Sequence, residues 1–312
     1  MEAQYAKPSA PTGKGIGIAV LDTGVGKVRD LCEPVNRIAA FVDFIAGKSE
    51  PYDDNAHGTH VAGIAAGNGL SGGGKYAGVA PGSSIIGVKI LDSGGSGDTS
   101  DVMAGIQWVI ANRQKYNIRV ANLSVGTSDM GSDAPLVRAV EAAWDRGIVV
   151  CVAAGNNGPD PGSVTSPGVS RKVITVGSSD DNNSVEIWGS RLVNFSGRGP
   201  TLECVVKPDI LAPGTNVASC LCQTPNLEGE RKELKIISKD YARMSGTSMS
   251  TPMVSGAVAL MLEKYPFLTP NDIKYLLKRS AVSLRYPRNH QGWGALDVKG
   301  LLSQRINHRI KY

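Results

Sequence analysis

The stretch GIGIAVLD, residues 15–22, is an apolar run that ends in a single carboxylate, Asp22. A short apolar run without alternation is typical of a strand buried on both faces of a parallel sheet. Three similar runs follow along the chain: SIIGVKIL (84–91), IRVANLS (118–124) and IVVCVAA (148–154). Helical patterns lie near residues 57–67, 100–115 and 133–146. Strands that alternate with helices predict an α/β fold with a doubly wound, mostly parallel β-sheet, flanked by helices on both faces.

The organisation of the chain predicts one domain. No linker or internal repeat divides the 312 residues, and open α/β sheets of this length are common. We therefore assign residues 1–312 to a single domain, with an N-terminal arm at 1–13 and a C-terminal tail at 303–312.

Charge and hydropathy argue against two classes of partner. The net charge is +5 (33 basic minus 28 acidic residues), and the nearest approach to a basic cluster is the C-terminal RINHRIKY. We therefore expect no nucleic-acid binding. The sequence has no run of 18 apolar residues, so we also expect no segment that crosses a membrane.

The cysteines and the N-terminus bear on the cellular compartment. The five cysteines show no CxxC spacing, and the N-terminal MEAQYAKPSAPTGKG lacks the hydrophobic segment of a signal peptide. These features predict reduced thiols in a cytoplasmic protein. The alternative is a secreted protein whose leader and prodomain are absent from this sequence.

Polar residues follow the predicted strands at one edge of the sheet. Asp22 ends the first strand, Asn122 and Ser124 end the third, and the fourth runs into AAGNNG, residues 153–158. Ligands of open α/β sheets bind beyond the carboxyl ends of the strands. We therefore expect the functional site at this edge.

Two histidines three positions apart, His57 and His60, lie in DDNAHGTHVAGIAAGNG, residues 53–69. A zinc-protease helix carries two histidines four positions apart with a glutamate between them, and HGTH does not match that pattern. The spacing alone leaves a catalytic role and a structural role for both histidines equally open.

A glycine-rich segment, GLSGGGKY (69–76), nearly matches a phosphate-binding loop. The final position of that motif is a Ser or Thr that binds Mg²⁺, and here it is Tyr76. The segment also follows a helical pattern instead of a strand, so we interpret it as a surface loop.

Ser248 lies between a glycine turn and an apolar helix in MSGTSMSTPMVSGAVALML, residues 244–262. Serine is a common helix N-cap, which is a purely structural explanation. The positive end of a helix also favours negative charge that develops beside a hydroxyl, which is a catalytic one.

Four motifs occur in a fixed order: LDTGV, HGTHVAG, AAGN and GTSMSTP. Together they resemble the subtilisin-like serine proteases, over roughly residues 13 to 302. FSGRGP and KPDILAPG resemble the bacterial branch of that family, which includes alkaline and intracellular enzymes. The resemblance implies a serine endopeptidase of broad specificity that acts through an acyl-enzyme intermediate.

The resemblance also implies the role of each site residue. Ser248 would be the nucleophile, His57 its base and Asp22 the group that orients the imidazole. Asn156 would join the backbone N–H of Ser248 in binding the oxyanion. His60 would then only support the helix.

Protein or peptide substrates are expected to bind in an extended conformation between two segments. One comprises Gly95, Ser96 and Gly97, and the other comprises Ser124, Val125 and Gly126. One wall of the P1 pocket would be formed by Ala153, Ala154 and Gly155. Thr165 takes the place of a glycine that commonly forms the base of that pocket, which predicts a shallower, more polar pocket suited to Leu, Met or Gln.

The sequence also departs from the family pattern. The arm before Asp22 is short and the loop after AGIAAG is rebuilt, so the metal sites stay unassigned, with Asp30 as a candidate ligand of a structural calcium ion. The chemistry itself requires no cofactor. Met253 replaces a common histidine. A catalytically dead binding protein on the same scaffold is the alternative function.

Overall fold

The computed structural model describes residues 10–127, 134–187, 190–224 and 234–306. Its strands are β1 (Gly17–Asp22), β2 (Ile38–Asp43), β3 (Ser84–Lys89), β4 (Ile118–Leu123), β5 (Val149–Ala153), β6 (Ile174–Ser178), β7 (Val185–Ile187), β8 (Ser190–Leu192), β9 (Ile210–Ala212), β10 (Val217–Cys220), β11 (Lys235–Ser238) and β12 (Tyr241–Met244). Its helices are α1 (Arg29–Cys32), α2 (His57–Ala66), α3 (Thr99–Asn112), α4 (Pro135–Asp145), α5 (Thr247–Lys264), α6 (Pro270–Ser280), α7 (Arg288–Gln291) and α8 (Val298–Ser303).

Seven of these strands form one parallel sheet in the order β2-β3-β1-β4-β5-β6-β9. Every residue of β1 and β5 is buried, as expected for continuous apolar runs covered on both faces. The chain adds β2 and β3 on one side of β1 and the later strands on the other. The sheet therefore changes winding direction between β1 and β4, and this is where open α/β sheets place their ligands.

The helices cover both faces of the sheet. A Cβ atom on Gly58 of α2 would lie 3.1 Å from Cβ of Asp22, whereas one on Gly105 of α3 would lie 3.5 Å from Cδ2 of Leu21. Successive residues of a strand point to opposite faces, so α2 and α3 lie on opposite sides. Helix α5 packs with α2, and α4 packs with α3. The predicted doubly wound, mostly parallel α/β architecture is confirmed.

The ends of the chain are described only in part. Backbone N–H groups of Thr12 and Gly13 donate to Oε2 of Glu263, at 2.6 and 2.5 Å, which ties this end of the arm to helix α5. The extent of the domain over residues 1–312 stays a prediction, because residues 1–9 of the arm and 307–312 of the tail lie outside the described residues. Among the described helices, none is both long and apolar enough to cross a membrane.

Candidate active site

A cleft of about 470 Å³ opens at the carboxyl ends of β1, β4 and β5. It collects nearly all the residues that the sequence predicted for the site: His57, Gly95, Ser96, Gly97, Ser124, Val125, Gly126, Ala153, Gly155, Asn156, Thr165 and Ser248. Asp22 and Ala154 do not line the cleft. Both side chains are fully buried, and Asp22 contacts the ring of His57. Ala154 therefore does not contribute to the predicted wall of the P1 pocket.

Asp22 and His57 form a buried pair. Nδ1 of His57 lies 2.7 Å from Oδ1 of Asp22, and the backbone N–H of Thr23 donates to the same oxygen at 2.7 Å. The carboxylate has no exposed surface, so water does little to screen the interaction between its charge and the imidazole ring. A hydrogen bond from Nδ1–H to the carboxylate leaves Nε2 as the basic nitrogen, since a neutral imidazole carries one proton.

A second buried carboxylate, Asp53, holds the beginning of the helix that carries His57. Its Oδ1 accepts from the backbone N–H groups of Asn55 and Ala56, both at 3.0 Å, and from Oγ1 of Thr23 at 2.9 Å. Its Oδ2 accepts from the N–H and the hydroxyl of Thr59, at 2.8 and 2.6 Å. Asp53 therefore positions the first turn of α2, where His57 lies. The sequence analysis assigned it no role, although an aspartate just before a helix is typical of capping.

A buried lysine, Lys89, connects three segments around the site. Its Nζ donates to the carbonyl oxygens of Thr23 and Leu91, at 2.6 and 2.8 Å, and to Oδ1 of Asp54 at 2.7 Å. These contacts join the end of β1, the approach to α2 and the segment that leads to Gly95. The sequence signal for this role is a lysine inside the apolar run SIIGVKIL. A charged side chain in a buried strand indicates a polar partner, because a charge is buried only when it is paired.

Ser248 occupies the first turn of α5, opposite the end of β4. Its hydroxyl donates to the carbonyl of Ser124 at 3.3 Å, and the hydroxyl of Ser124 donates to the carbonyl of Ser248 at 3.0 Å. Behind them, Nδ2 of Asn122 donates to Oγ of Ser124 at 3.1 Å, and Oγ of Ser255 donates to Oδ1 of Asn122 at 2.8 Å. This buried network fixes the start of α5 against the sheet.

The side chain of Asn156 is oriented by the residue before Ser248. Its Oδ1 accepts from both the backbone N–H and the hydroxyl of Thr247, each at 3.0 Å. With Oδ1 engaged there, Nδ2 is the group that remains to donate into the cleft. The backbone N–H of Ser248 is one of the first N–H groups of α5, which have no partner within the helix. Two donors therefore flank the Ser248 hydroxyl.

His60 has a different environment from His57. It is fully buried, and its Nε2 lies 3.2 Å from the carbonyl oxygen of Ala242 in β12. Burial lowers the pKa of His60 from 6.5 to about 3, so the ring stays neutral at physiological pH. His60 does not line the cleft and links α2 to the antiparallel sheet formed by β10, β12 and β11.

Asp30, the candidate calcium ligand, has protein partners on both oxygens. Oδ1 accepts from the backbone N–H of Ser71 at 2.8 Å, and Oδ2 accepts from the hydroxyl of Tyr241 at 2.7 Å, with the thiol of Cys220 at 3.7 Å. Both oxygens of the Asp30 carboxylate therefore already accept hydrogen bonds from the protein. Within the described ranges, no group of three or more His, Cys, Asp or Glu side chains could hold a metal ion.

Near Asp30, the guanidinium of Arg37 donates hydrogen bonds to three backbone carbonyl groups. The half-buried Arg37 donates from Nη1 to the carbonyls of Ala66 and Ser83, at 2.5 and 3.2 Å, and from Nη2 to the carbonyl of Asp30. Ala66 is the last residue of α2, and a cation at the C-terminal end of a helix is favourable. The protein's own cation thus holds together the carbonyls around Asp30.

The geometry first defines a class of protein. A buried carboxylate that holds a histidine, with a serine at a helix N-terminus in the same cleft, is typical of serine hydrolases. The family follows from comparison with known proteins, since a family model described as "Subtilase family" matches residues 13–294. The chain therefore belongs to the subtilase family of serine proteases, and the predicted resemblance is confirmed.

Individual relatives agree with this assignment. The chain is 47% identical to the serine protease AprX of Bacillus subtilis over 293 residues, which cover 89% of this chain and 64% of AprX. It is 36% identical to Subtilisin Savinase of Lederbergia lenta over 285 residues, covering 91% of this chain and 90% of that protein. The chain thus spans just under two thirds of AprX and most of Savinase.

Solved structures show the same fold. A cold-adapted subtilisin-like serine proteinase superposes with a TM-score of 0.69 at 30% identity, over 95% of this chain and 92% of that one. Sphericase superposes with a TM-score of 0.68 at 29% identity, over 89% of this chain and 86% of its own.

Proposed function

We propose that the chain is a serine endopeptidase that hydrolyses peptide bonds with Ser248 as nucleophile, His57 as general base and Asp22 as the residue that orients the imidazole and stabilises the imidazolium. The observation that carries this proposal is the buried contact of 2.7 Å between His57 Nδ1 and Asp22 Oδ1, with Ser248 in the same cleft. A serine hydroxyl is a weak nucleophile alone, and a base fixed in one tautomer is what activates it.

In the first half of the reaction, Oγ of Ser248 attacks the scissile carbonyl carbon and Nε2 of His57 takes the hydroxyl proton. The negative charge moves to the carbonyl oxygen, which accepts hydrogen bonds from Nδ2 of Asn156 and the N–H of Ser248. The imidazolium is stabilised by Asp22. The C–N bond then breaks, His57 donates its proton to the leaving amine, and the acyl group stays on Ser248 as an ester.

In the second half, water attacks the ester carbonyl while His57 takes a proton from it. The same two donors hold the oxyanion. Collapse of this intermediate releases the acid and returns the proton to Oγ of Ser248.

The substrate would lie in an extended conformation between Gly95–Gly97 and Ser124–Gly126, both of which line the cleft. Recognition through main-chain hydrogen bonds tolerates many side chains, which supports broad specificity for proteins and peptides. No disulfide joins the five cysteines, all of which lie in described parts of the chain. Five thiols fit a reducing compartment, so we place the enzyme in the cytoplasm, with secretion as the alternative.

Digestion of a reduced, unfolded protein tests the proposal. The wild-type chain should cleave it at many sites, located by mass analysis of the products, and Ser248→Ala should leave it intact. The loss in kcat should approach 10⁶-fold, a figure that belongs to subtilisin and is not worked out from this structure. A wild-type chain that binds the unfolded protein but never cleaves it would instead be a binding protein on a protease scaffold.

A further inference from the structure

The backbone carbonyl of Ser248 cannot receive the hydrogen bond that a regular helix would give it. In an α-helix each carbonyl accepts from the N–H group four positions later, which for Ser248 belongs to residue 252. That residue is Pro252, inside helix α5, and proline has no backbone N–H. A proline ring also crowds the carbonyl four residues before it. The regular bonding of the helix therefore does not hold the Ser248 carbonyl in place.

The hydroxyl of Ser124 supplies a hydrogen bond in place of the missing one. It donates to the Ser248 carbonyl at 3.0 Å, from the end of β4 to the first turn of α5. A hydroxyl carries one proton, so it donates to one acceptor at a time. The Ser248 carbonyl keeps this bond only while the Ser124 hydroxyl has no competing acceptor.

The side chain of Asn122 determines where the Ser124 hydroxyl points. Its Nδ2 donates to Oγ of Ser124 at 3.1 Å, which leaves the hydroxyl proton for the Ser248 carbonyl. The amide of Asn122 is in turn oriented by Ser255 of α5, whose hydroxyl donates to Oδ1 at 2.8 Å. Neither Asn122 nor Ser255 has any exposed surface, so water cannot replace either partner.

These hydrogen bonds form a chain with one direction, from Ser255 through Asn122 and Ser124 to Ser248. Hydrogen bonds that are arranged in this way polarise and strengthen one another, so the loss of one link weakens the next. Ser255 and Ser248 are seven positions apart on α5, which places them on one face of the helix. Asn122 does not line the cleft, so its effect on a substrate passes through Ser124.

We propose that Asn122 is a positioning residue for the reaction, which holds the nucleophile Ser248 in place by orienting the hydroxyl of Ser124. The Ser248 hydroxyl must meet the scissile carbonyl and Nε2 of His57 in one geometry, and a displacement of about 1 Å costs up to about 10²-fold in rate. Substrate binding through main-chain groups of residues 124–126 does not use the Ser124 hydroxyl. This inference rests on the proposed protease function.

A double-mutant cycle between Asn122 and Ser124 tests the inference. Both kcat and KM are measured with one peptide substrate, per active site titrated with a fluorophosphonate, so that unfolded chains do not count. Asn122→Ala and Ser124→Ala should each lower kcat by about 10- to 100-fold and change KM by less than about threefold. Because Asn122 acts through Ser124, adding Asn122→Ala to Ser124→Ala should lower kcat by no more than about a further twofold.

Ser170→Ala is the matched control for the loss of a buried serine hydroxyl. The Ser170 side chain donates to Oε1 of Glu141 at 2.7 Å and accepts from the N–H of Lys172 at 3.1 Å. Ser170 is buried and does not line the cleft, so its variant should keep kcat within about twofold of wild type.

The inference would be overturned if the two losses in kcat multiplied in the double variant, or if Asn122→Ala kept kcat within about twofold or raised KM as much as it lowered kcat. If Asn122→Ala does not fold, Ser255→Ala replaces it in the cycle. This variant should lower kcat by about 3- to 10-fold in the wild-type chain and by less than about twofold in Ser124→Ala. An equal loss in both backgrounds would contradict the proposal.

Failure of the proposed function gives a different result. A wild-type chain that is neither labelled by the fluorophosphonate nor active would contradict the protease function itself, whereas every outcome of the cycle requires a labelled, active wild-type chain.

Discussion

Replacing Asp53 by asparagine should both destabilise the chain and slow catalysis, although Asp53 does not line the cleft. In Asp53→Asn, an NH₂ group replaces one of the two oxygens that accept five hydrogen bonds. At Oδ2 it would face the N–H of Thr59, and at Oδ1 the N–H groups of Asn55 and Ala56. In either orientation, at least one buried backbone donor loses its acceptor.

An unsatisfied buried donor costs about 1–3 kcal/mol, and a lost charge at a helix N-terminus adds about 0.3–1 kcal/mol. We therefore expect Asp53→Asn to lower the free energy of unfolding by about 1–4 kcal/mol. A shift of His57 by about 1 Å would reduce kcat by up to about 10²-fold. KM should change little, since the segments proposed to bind substrate do not include Asp53.

Stability is measured by urea unfolding in a Ser248→Ala background, which prevents self-digestion. The values of kcat and KM are measured in chains that keep Ser248. Asp145→Asn is the control, because it also removes a carboxylate, from an exposed ion pair with Lys172, and should change stability by less than about 0.5 kcal/mol. If Asp53→Asn matched this control in stability and kept kcat within about twofold, Asp53 would not position His57.

Three further predictions concern other parts of the site. Asn156→Ala should lower kcat by about 10²–10³-fold with KM nearly unchanged, a magnitude that comes from subtilisin; an equal rise in KM would show that Asn156 binds the substrate ground state. The pKa of His60 is lowered from 6.5 to about 3 in the folded chain, so on acidification the unfolded chain binds the proton first. The free energy of unfolding should therefore decrease as the pH is lowered below 6.5. At pH 5 this amounts to about 2 kcal/mol, which His60→Gln should remove from the pH dependence of urea unfolding in the Ser248→Ala background. Arg37→Met should speed amide hydrogen exchange in residues 67–78, whereas a calcium chelator should not; the reverse result would show that a metal ion, and not Arg37, holds this loop.

The apolar strands of the sheet centre and the cleft residues could be predicted from the sequence. The runs at 15–22, 84–91, 118–124 and 148–154 became β1, β3, β4 and β5, since a strand buried on both faces is mostly apolar. The ends of the strands differ from the ends of the apolar runs where the backbone turns away from the sheet. The 84–91 run ends as a strand at Lys89, because the N–H groups of Ile90 and Leu91 both turn to the carbonyl of Asp22.

Other elements were not predicted, as with strand β2, or have different ends from those predicted, as with helices α3 and α4. Strand β2 lies at the edge of the sheet, where four of its six residues are partly or fully exposed, so the run does not resemble a buried strand. The helix expected over 100–115 ends at Asn112, ahead of a turn in which Asn117 has a φ of +46°. The one expected over 133–146 covers Pro135–Asp145. Residue 133 lies outside the described residues.

The supporting residues of the site were harder to predict. Lys89 and Arg37 act through contacts with backbone groups distant in sequence, such as Arg37 with Ser83 and Lys89 with Thr23, and Asp53 also accepts from the hydroxyl of Thr23, 30 positions away. Such contacts exist only once the chain is folded. The partner of Asp30 was equally hidden in the sequence, since this carboxylate accepts a hydrogen bond from Tyr241, 211 positions away.

Labelling with a fluorophosphonate tests the central claim most directly, because only a serine activated by a neighbouring base reacts with it at an appreciable rate. The folded wild-type chain should gain one label, located by peptide mapping on Ser248, and both Ser248→Ala and His57→Ala should lose it. A wild-type chain that stays unlabelled, or a label on any other residue, would contradict an active site built on Asp22, His57 and Ser248.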